Sequence, residues 1–487
     1  MRKLLLAISL LTLTLFSFSA TSGSANSSGS STFPTYTKAQ LTQDLLQMQN
    51  DVETTMVNPW VFCTQAQFET AVQSTIKQLK NGENSLEFYA QIAPLGGMIQ
   101  SEHVGIVMPT STQVDTFLKN ATYCPVQISY IGNSTLVVKN IVSIPNGLDY
   151  AGYSIISINH HSLSDIISKT SLYFSSEIPE TRIEDLAQPW IVQPFIRYYN
   201  FSFGFDKKYT LVLKSPSGKV ITLTVPNATH AQFLSLSTQI SNNTSENSTL
   251  PYSFKLLPNN VGLLTYTSCI NVNSNFQDFI SGTAITLNTN KCKNLIIDIR
   301  GNGGGNSDSA EYILDAFTNK PFLMSGGVVN KISPLFEKEY LASQNYWGMG
   351  KDNFLAYCTT NMNKTTAFYG SAERSHFING PLWTGNIYLL TDDHVYSSAI
   401  MMASAVKDFK LGYIIGQPTG GAAANEGDIL TDTLKNSQLS IYIPFREWQR
   451  TNGLPSVNQP IYPDYFSNNA LQDAQTMIAN LQKMGIN

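Results

Sequence analysis

The sequence predicts an α/β protein with a helical N-terminal part, a β-rich middle and a C-terminal core in which strands and helices alternate. Three patterns carry that expectation. From Asn260 onward, apolar strand-like runs alternate with helical spacing: VGLLTYTS, a helix around Asn275–Leu287, NLIIDIR, then Ser309–Phe317. That alternation is the signature of mostly parallel strands joined by crossover helices. Between residues 124 and 225, short runs such as VQISYI, TLVVKNIV and KVITLTVP are separated by Asn, Gly and Pro turns, as in a small β domain. Between Thr37 and Lys80, apolar residues recur at helical spacing, first Leu41, Leu45, Met48 and Val52, then Phe68, Val72, Ile76 and Leu79.

Taken in order, the chain opens with Arg2 and Lys3, an apolar run from Leu4 to Phe18, and small residues up to Ala25. This is the pattern of an export signal over residues 1–25, and it implies a periplasmic or extracellular protein. A Ser/Gly-rich linker follows over 26–36, then a helical domain over 37–120. The β-rich domain occupies 121–240, with helices inserted near 163–200. A polar stretch, SNNTSENST, separates it from an α/β core over 250–487. Residues 320–380, rich in Asn, Tyr and Phe, are expected to form surface excursions over that core. Strand NIYLLTD, a helix over 398–409, strand YIIGQPT and a helix near Leu471–Met484 complete it.

The 487 residues exceed one compact core. Only 13% of them are charged, against roughly 25% in an average soluble protein. A net charge of -4 provides no basic stripe to neutralise a phosphate backbone, so nucleic acid is not expected as a partner. No segment after the signal is long and apolar enough for a stable membrane span. The five cysteines, Cys63, Cys124, Cys269, Cys292 and Cys358, lack C-x-x-C spacing, which argues against a zinc or redox motif. Cys269 and Cys292 are the pair to test for a disulfide.

The richest stretch is residues 387–421, IYLLTDDHVYSSAIMMASAVKDFKLGYIIGQPTGG. An apolar strand runs into a Tyr-Ser-Ser turn and an unusually apolar helix, which puts Ser397 at a helix mouth among free N–H groups. Such a serine is either a cap for the helix or a nucleophile. A second constellation, LIIDIRGNGGGNSDSA over 295–310, ends an apolar strand in glycines that can present unobstructed N–H groups. It matches neither phosphate-binding glycine spacing. Its better reading is an oxyanion hole, with the Gly303 or Gly304 N–H and, as second donor, the Ser398 N–H. A base for Ser397 comes from the six histidines. His103, in MIQSEHVGIVMP, is preferred; His394, three residues from Ser397, is its competitor.

At these residues the chain resembles the C-terminal-processing serine peptidases and their tricorn-core and retinoid-binding-protein-like relatives. The resemblance rests on IIDIRGNGGG, YLLTDDHVYSSAIMMASAVKD and IIGQPTGG, with softer echoes in SEHVGI, KNSQLSIYIP and YPDY. It implies a ClpP/crotonase-like α/β core and a PDZ-like module in the β-rich domain, able to capture an extended peptide or merely to cover the core. By the same resemblance Ser397 is the nucleophile, His103 the base and Ser101 a support behind it. The lysine used by one branch of the family falls at Ala422, so the Ser/His branch fits better than the Ser-Lys branch. The glutamate expected upstream of the family's G-V-x-P-D motif is absent from SVNQPIYPD; Asn458 or Gln459 would orient the His, with Glu447 and Glu426 as fallbacks. The implied activity is an exported serine endopeptidase acting on protein or peptide substrates, free of metal or organic cofactor and compatible with a homo-oligomer. The alternatives are a catalytically weakened peptide- or ligand-binding protein on the same scaffold and an acyl-ester hydrolase, which lacks G-x-S-x-G.

Overall fold

A computed structural model describes residues 33–240, 250–369, 377–452 and 459–485. The export signal, most of the linker, the polar stretch at 241–249 and Asn458 lie outside the described residues. The main sheet has six strands in the order Tyr252–Leu257, Val261–Tyr266, Asn294–Asp298, Asn386–Thr391, Tyr413–Gly416 and Tyr465–Phe466. Its first pair is antiparallel and every later pair is parallel. Parallel strands are covered by helices on both faces, which is why these segments are apolar without alternation. Leu295 and Ile297 face the helices Ser274–Thr289, Ser307–Phe317 and Ser398–Asp408, while Ile296 between them faces the C-terminal helix Ala470–Lys483.

A second, antiparallel sheet runs Thr365–Tyr369, Gly327–Lys331, Ser440–Gln449 and Asn425–Thr433. A short strand, Gly105–Ile106, adds to it by pairing with Ile441 and Tyr442. This addition matters for function because it ties the histidine-bearing segment to the core. Residues 320–380 are therefore more than surface excursions. Their helices Pro334–Ala342 and Lys351–Asn361 place Phe336 and Phe354 in one buried cluster with Leu41, Leu45 and Phe68 of the N-terminal helices. The aromatic residues that made this stretch hard to read are core residues. The first N-terminal helix also places a buried carboxylate, Asp44, against the turn before strand Ser440–Gln449, where it accepts the N–H groups of Asn436 and Ser437 at 2.9 and 2.6 Å.

The β-rich domain is an antiparallel sheet in the order Val220–Pro226, Lys208–Lys214, Ser154–Ile158, Leu136–Ile141 and Val126–Tyr130. It closes on a core of its own around Phe195, Tyr199, Tyr209 and Leu211. All five cysteines are free, Cys269 and Cys292 included. Cys269 instead lies against Asn302, its Sγ 3.7 Å from the amide oxygen. Among the described residues no helix is long and apolar enough to cross a membrane.

Candidate active site

Ser397 stands where the strand Asn386–Thr391 gives way to the helix Ser398–Asp408. Every residue from Ser398 to Val406 is buried, so the helix is a core element and its start is held rigidly. Ser397 has φ 50° and ψ -124°, a conformation that costs a non-glycine residue about 1–3 kcal/mol and persists only where its surroundings enforce it. Ser397 occupies the cap position, yet its hydroxyl makes no capping hydrogen bond. That answers the capping alternative: the Oγ is left available for chemistry. Ser398 differs, since its Oγ donates to the Gly305 carbonyl at 2.7 Å.

The glycine turn lies directly behind the serine. A Cβ on Gly304 would sit 2.6 Å from Ser397 Cβ and 2.8 Å from the Tyr396 carbonyl, and Gly304 itself has φ 93°. Glycine is needed here twice over, for space and for backbone conformation. The Gly304 N–H, one of the two expected oxyanion donors, is already engaged by Asn302 Oδ1 at 2.9 Å. Gly303, by contrast, has open space around it. Asn302 is the organising residue that sequence reading passed over. Fully buried, it donates from Nδ2 to the Tyr266 carbonyl at 2.9 Å and accepts the Tyr396 N–H on its own carbonyl at 3.0 Å. It thereby joins a strand, the glycine turn and the serine turn. Asp392 adds a second tie, accepting N–H groups from Gly301 and His394.

His103 reaches this place through a β-turn, closed by Val104 N–H donating to the Ser101 carbonyl at 3.0 Å. The turn follows the helix Ser85–Ile99 and leads into the added strand Gly105–Ile106. The imidazole is buried, and its Nδ1 has no hydrogen-bond partner. Burial lowers its pKa to about 4, with the charge of Asp428 opposing that shift, so the ring is neutral near pH 7. His394 is different in kind. Its Nδ1 lies 2.8 Å from Asp393 Oδ1 and its Nε2 3.0 Å from Gln188. The Asp393 hydrogen bond raises its pKa to about 9 against the effect of burial. A half-exposed imidazolium with both nitrogens engaged is a poor base.

Of the remaining expected residues, Ser101 is buried beside Glu426, while Gln459 is exposed and pairs through its backbone with Ala423. Glu426 and Glu447 face each other on neighbouring strands. The structure also brings in two carboxylates not singled out from sequence, Glu102 and Glu177. Glu102 Oε1 accepts the Ser397 N–H at 3.2 Å and lies 3.7 Å from His103 Nδ1. Glu177, from a helical insertion of the β-rich domain, accepts the Glu102 N–H at 3.1 Å. Nearby, Thr181 Oγ1 donates to the Gly420 carbonyl at 2.9 Å, so this insertion packs directly on the glycine pair of IIGQPTGG. At the family's lysine position, Ala422 is fully buried.

Burial raises the pKa of Glu177 to about 7, while backbone N–H groups and Arg182 oppose the shift. An unfolded glutamate ionises near 4.5, so folding retains a proton between that value and about 7, and stability falls as pH rises through this window. His103 acts oppositely, since stability falls as pH drops from about 6.5 toward 4. Glu177→Gln is therefore expected to raise Tm at pH 8, by about 2 kcal/mol in stability after allowing for a weakened acceptor, and to leave it nearly unchanged at pH 4. Thermal unfolding at the two pH values checks this.

Residues 260–466 match the model of peptidase family S41. Among solved structures, mature CPAF in complex with lactacystin is 14% identical, with a TM-score of 0.57 over 92% of this chain and 98% of the other. Mature CPAF by itself is 13% identical, with a TM-score of 0.56 over 88% and 92%. No curated protein sequence matches. At such identities the two structures speak for the fold, and it is the family match, spanning the glycine turn and the serine turn, that speaks for the chemistry. Residues 260–466, which carry both turns, are similar to peptidase family S41, and the chain is a serine-type peptidase.

Proposed function

We propose that this protein is an exported serine endopeptidase in which Ser397 is the nucleophile, His103 the general base, and the N–H groups of Gly303 and Ser398 the oxyanion donors. The observation that carries the reading is the free Ser397 hydroxyl, held on a strained turn against Gly304 instead of capping its helix. Ser397 Oγ bonds to the peptide carbonyl carbon while its proton passes to His103. The carbonyl oxygen becomes an oxyanion between the two N–H groups. His103 then protonates the leaving amine as the C–N bond breaks. Water attacks the acyl-enzyme carbonyl, giving a proton to His103; the bond to Ser397 Oγ then breaks, the acid leaves, and His103 returns the proton to Oγ. His103 is neutral near pH 7 and so can accept the proton in the first step, and no metal or organic cofactor enters any of them. The edge strand Val220–Pro226 of the β-rich sheet is suited to hold an extended peptide by strand addition, which is the PDZ-like role, whereas at the other edge Gln193 already occupies the Ile128 N–H and carbonyl.

A fluorophosphonate probe tests the nucleophile. Wild type is expected to be labelled and to cleave an unfolded protein such as casein, and Ser397→Ala to do neither. Labelling that survives Ser397→Ala would move the nucleophile elsewhere. A wild type that is neither labelled nor active would leave a peptide-binding protein on the same scaffold.

A further inference from the structure

We propose that Glu102 is the positioning carboxylate of this site, holding the Ser397 backbone and the His103 ring at once. The inference rests on the peptidase reading above and supplies the acid that the segment around Asn458 lacks. Its basis is geometric. The β-turn Ser101–Val104 projects adjacent side chains toward the serine turn, and one oxygen, Glu102 Oε1, serves both. It accepts the Ser397 N–H at 3.2 Å and lies 3.7 Å from His103 Nδ1, a buried nitrogen with no hydrogen-bond partner. The other oxygen, Oε2, is accommodated by a glycine, for a Cβ on Gly421 would lie 2.7 Å from it. Gly421 belongs to the IIGQPTGG segment, so that glycine has a function in the site: it makes room for the carboxyl group. Glu177 fixes the Glu102 backbone from the opposite side.

The charged and titratable groups around Glu102 come from several elements. Glu177, with Arg182 acting on it, belongs to the helical insertion, His103 to the same turn as Glu102 and Tyr396 to the serine turn; on the strand Asn425–Thr433, Asp428 acts on His103, and Glu426 responds to Glu177. Burial first and Glu177 second push the Glu102 carboxyl well above the ordinary range, and the Ser397 N–H opposes them. Ionised, Glu102 stabilises an imidazolium forming at His103; protonated, it still accepts the Ser397 N–H but offers His103 no charge. The acid limb of activity then follows the Glu102 carboxyl, because the His103 midpoint lies lower.

Glu102→Gln separates the two functions, since the amide oxygen keeps the Ser397 hydrogen bond and the charge is lost. On the pH plateau kcat is expected to fall about 100-fold with KM changed less than about twofold, and the upper acid limb to disappear. Gly421→Ala, which leaves Glu102 in place but crowds its carboxyl, is expected to lower kcat in the same direction. The second readout is independent of turnover. In protein labelled at histidine ¹³Cε1, the wild-type His103 resonance is expected to move in two steps, an upper one with Glu102 and a lower one with its own protonation. Glu102→Gln removes the upper step, and Glu177→Gln shifts it to lower pH. A wild-type kcat in Glu102→Gln, or an upper step that survives it, overturns the assignment. If wild type neither cleaves casein nor takes the probe, the peptidase reading falls, while the two-step titration still decides the position of Glu102.

Discussion

Replacing His103 with alanine is expected to lower kcat by about 10³-fold, the range a positioned general base supplies, with KM little changed. Activity should not vanish, because the oxyanion donors and substrate binding act without the base. The same substitution at His394 is the informative contrast. Its ring is held between Asp393 and Gln188, and its raised pKa makes it a cation across the neutral range, so the loss there should stay below about tenfold. Steady-state kinetics on the two variants from pH 5 to 9 decide between them. If His394→Ala abolishes turnover and His103→Ala does not, the base has been assigned to the wrong histidine.

Gly304→Ala is expected to be nearly as damaging, by another route. The added methyl would meet Ser397 Cβ at 2.6 Å and Ser398 N at 3.0 Å, and these are backbone-anchored atoms that cannot swing aside. At φ 93° an L residue is strained as well. The expected result is a stability loss of about 2–4 kcal/mol and a fall in kcat of at least about 100-fold, since a nucleophile displaced by even about 1 Å loses that much. Gly303→Ala, with open space around the residue, should cost less than about 1 kcal/mol. Thermal unfolding and casein cleavage on the pair test whether the shape of the turn depends on Gly304 and not on Gly303.

Much of the architecture was legible because it is periodic. The buried parallel strands announce themselves as short apolar runs, and the helix after Ser397 as apolar all round. Residues 320–380 were misread because Phe336 and Phe354 are buried by helices nearly 300 residues earlier in the chain, a contact with no local signature. In the site, Gly304 could be named as close to the chemistry from the glycine run, but its N–H could not be assigned. That depends on a hydrogen bond to Asn302, whose burial has no signature in the local sequence.

The sequence by itself determined the α/β core, the serine at a helix mouth and the glycine turn behind it. These are short-range facts, set by hydrophobic period, turn chemistry and residue type. Only the tertiary structure decided which histidine is neutral, which glycines are required for shape, and which acid stands beside His103. The reason is physical: burial and the approach of charges from distant segments set protonation and hydrogen bonding. Glu102 meets Ser397 across 295 residues of chain, and its partner Glu177 comes from the β-rich domain. No spacing in the sequence encodes that meeting.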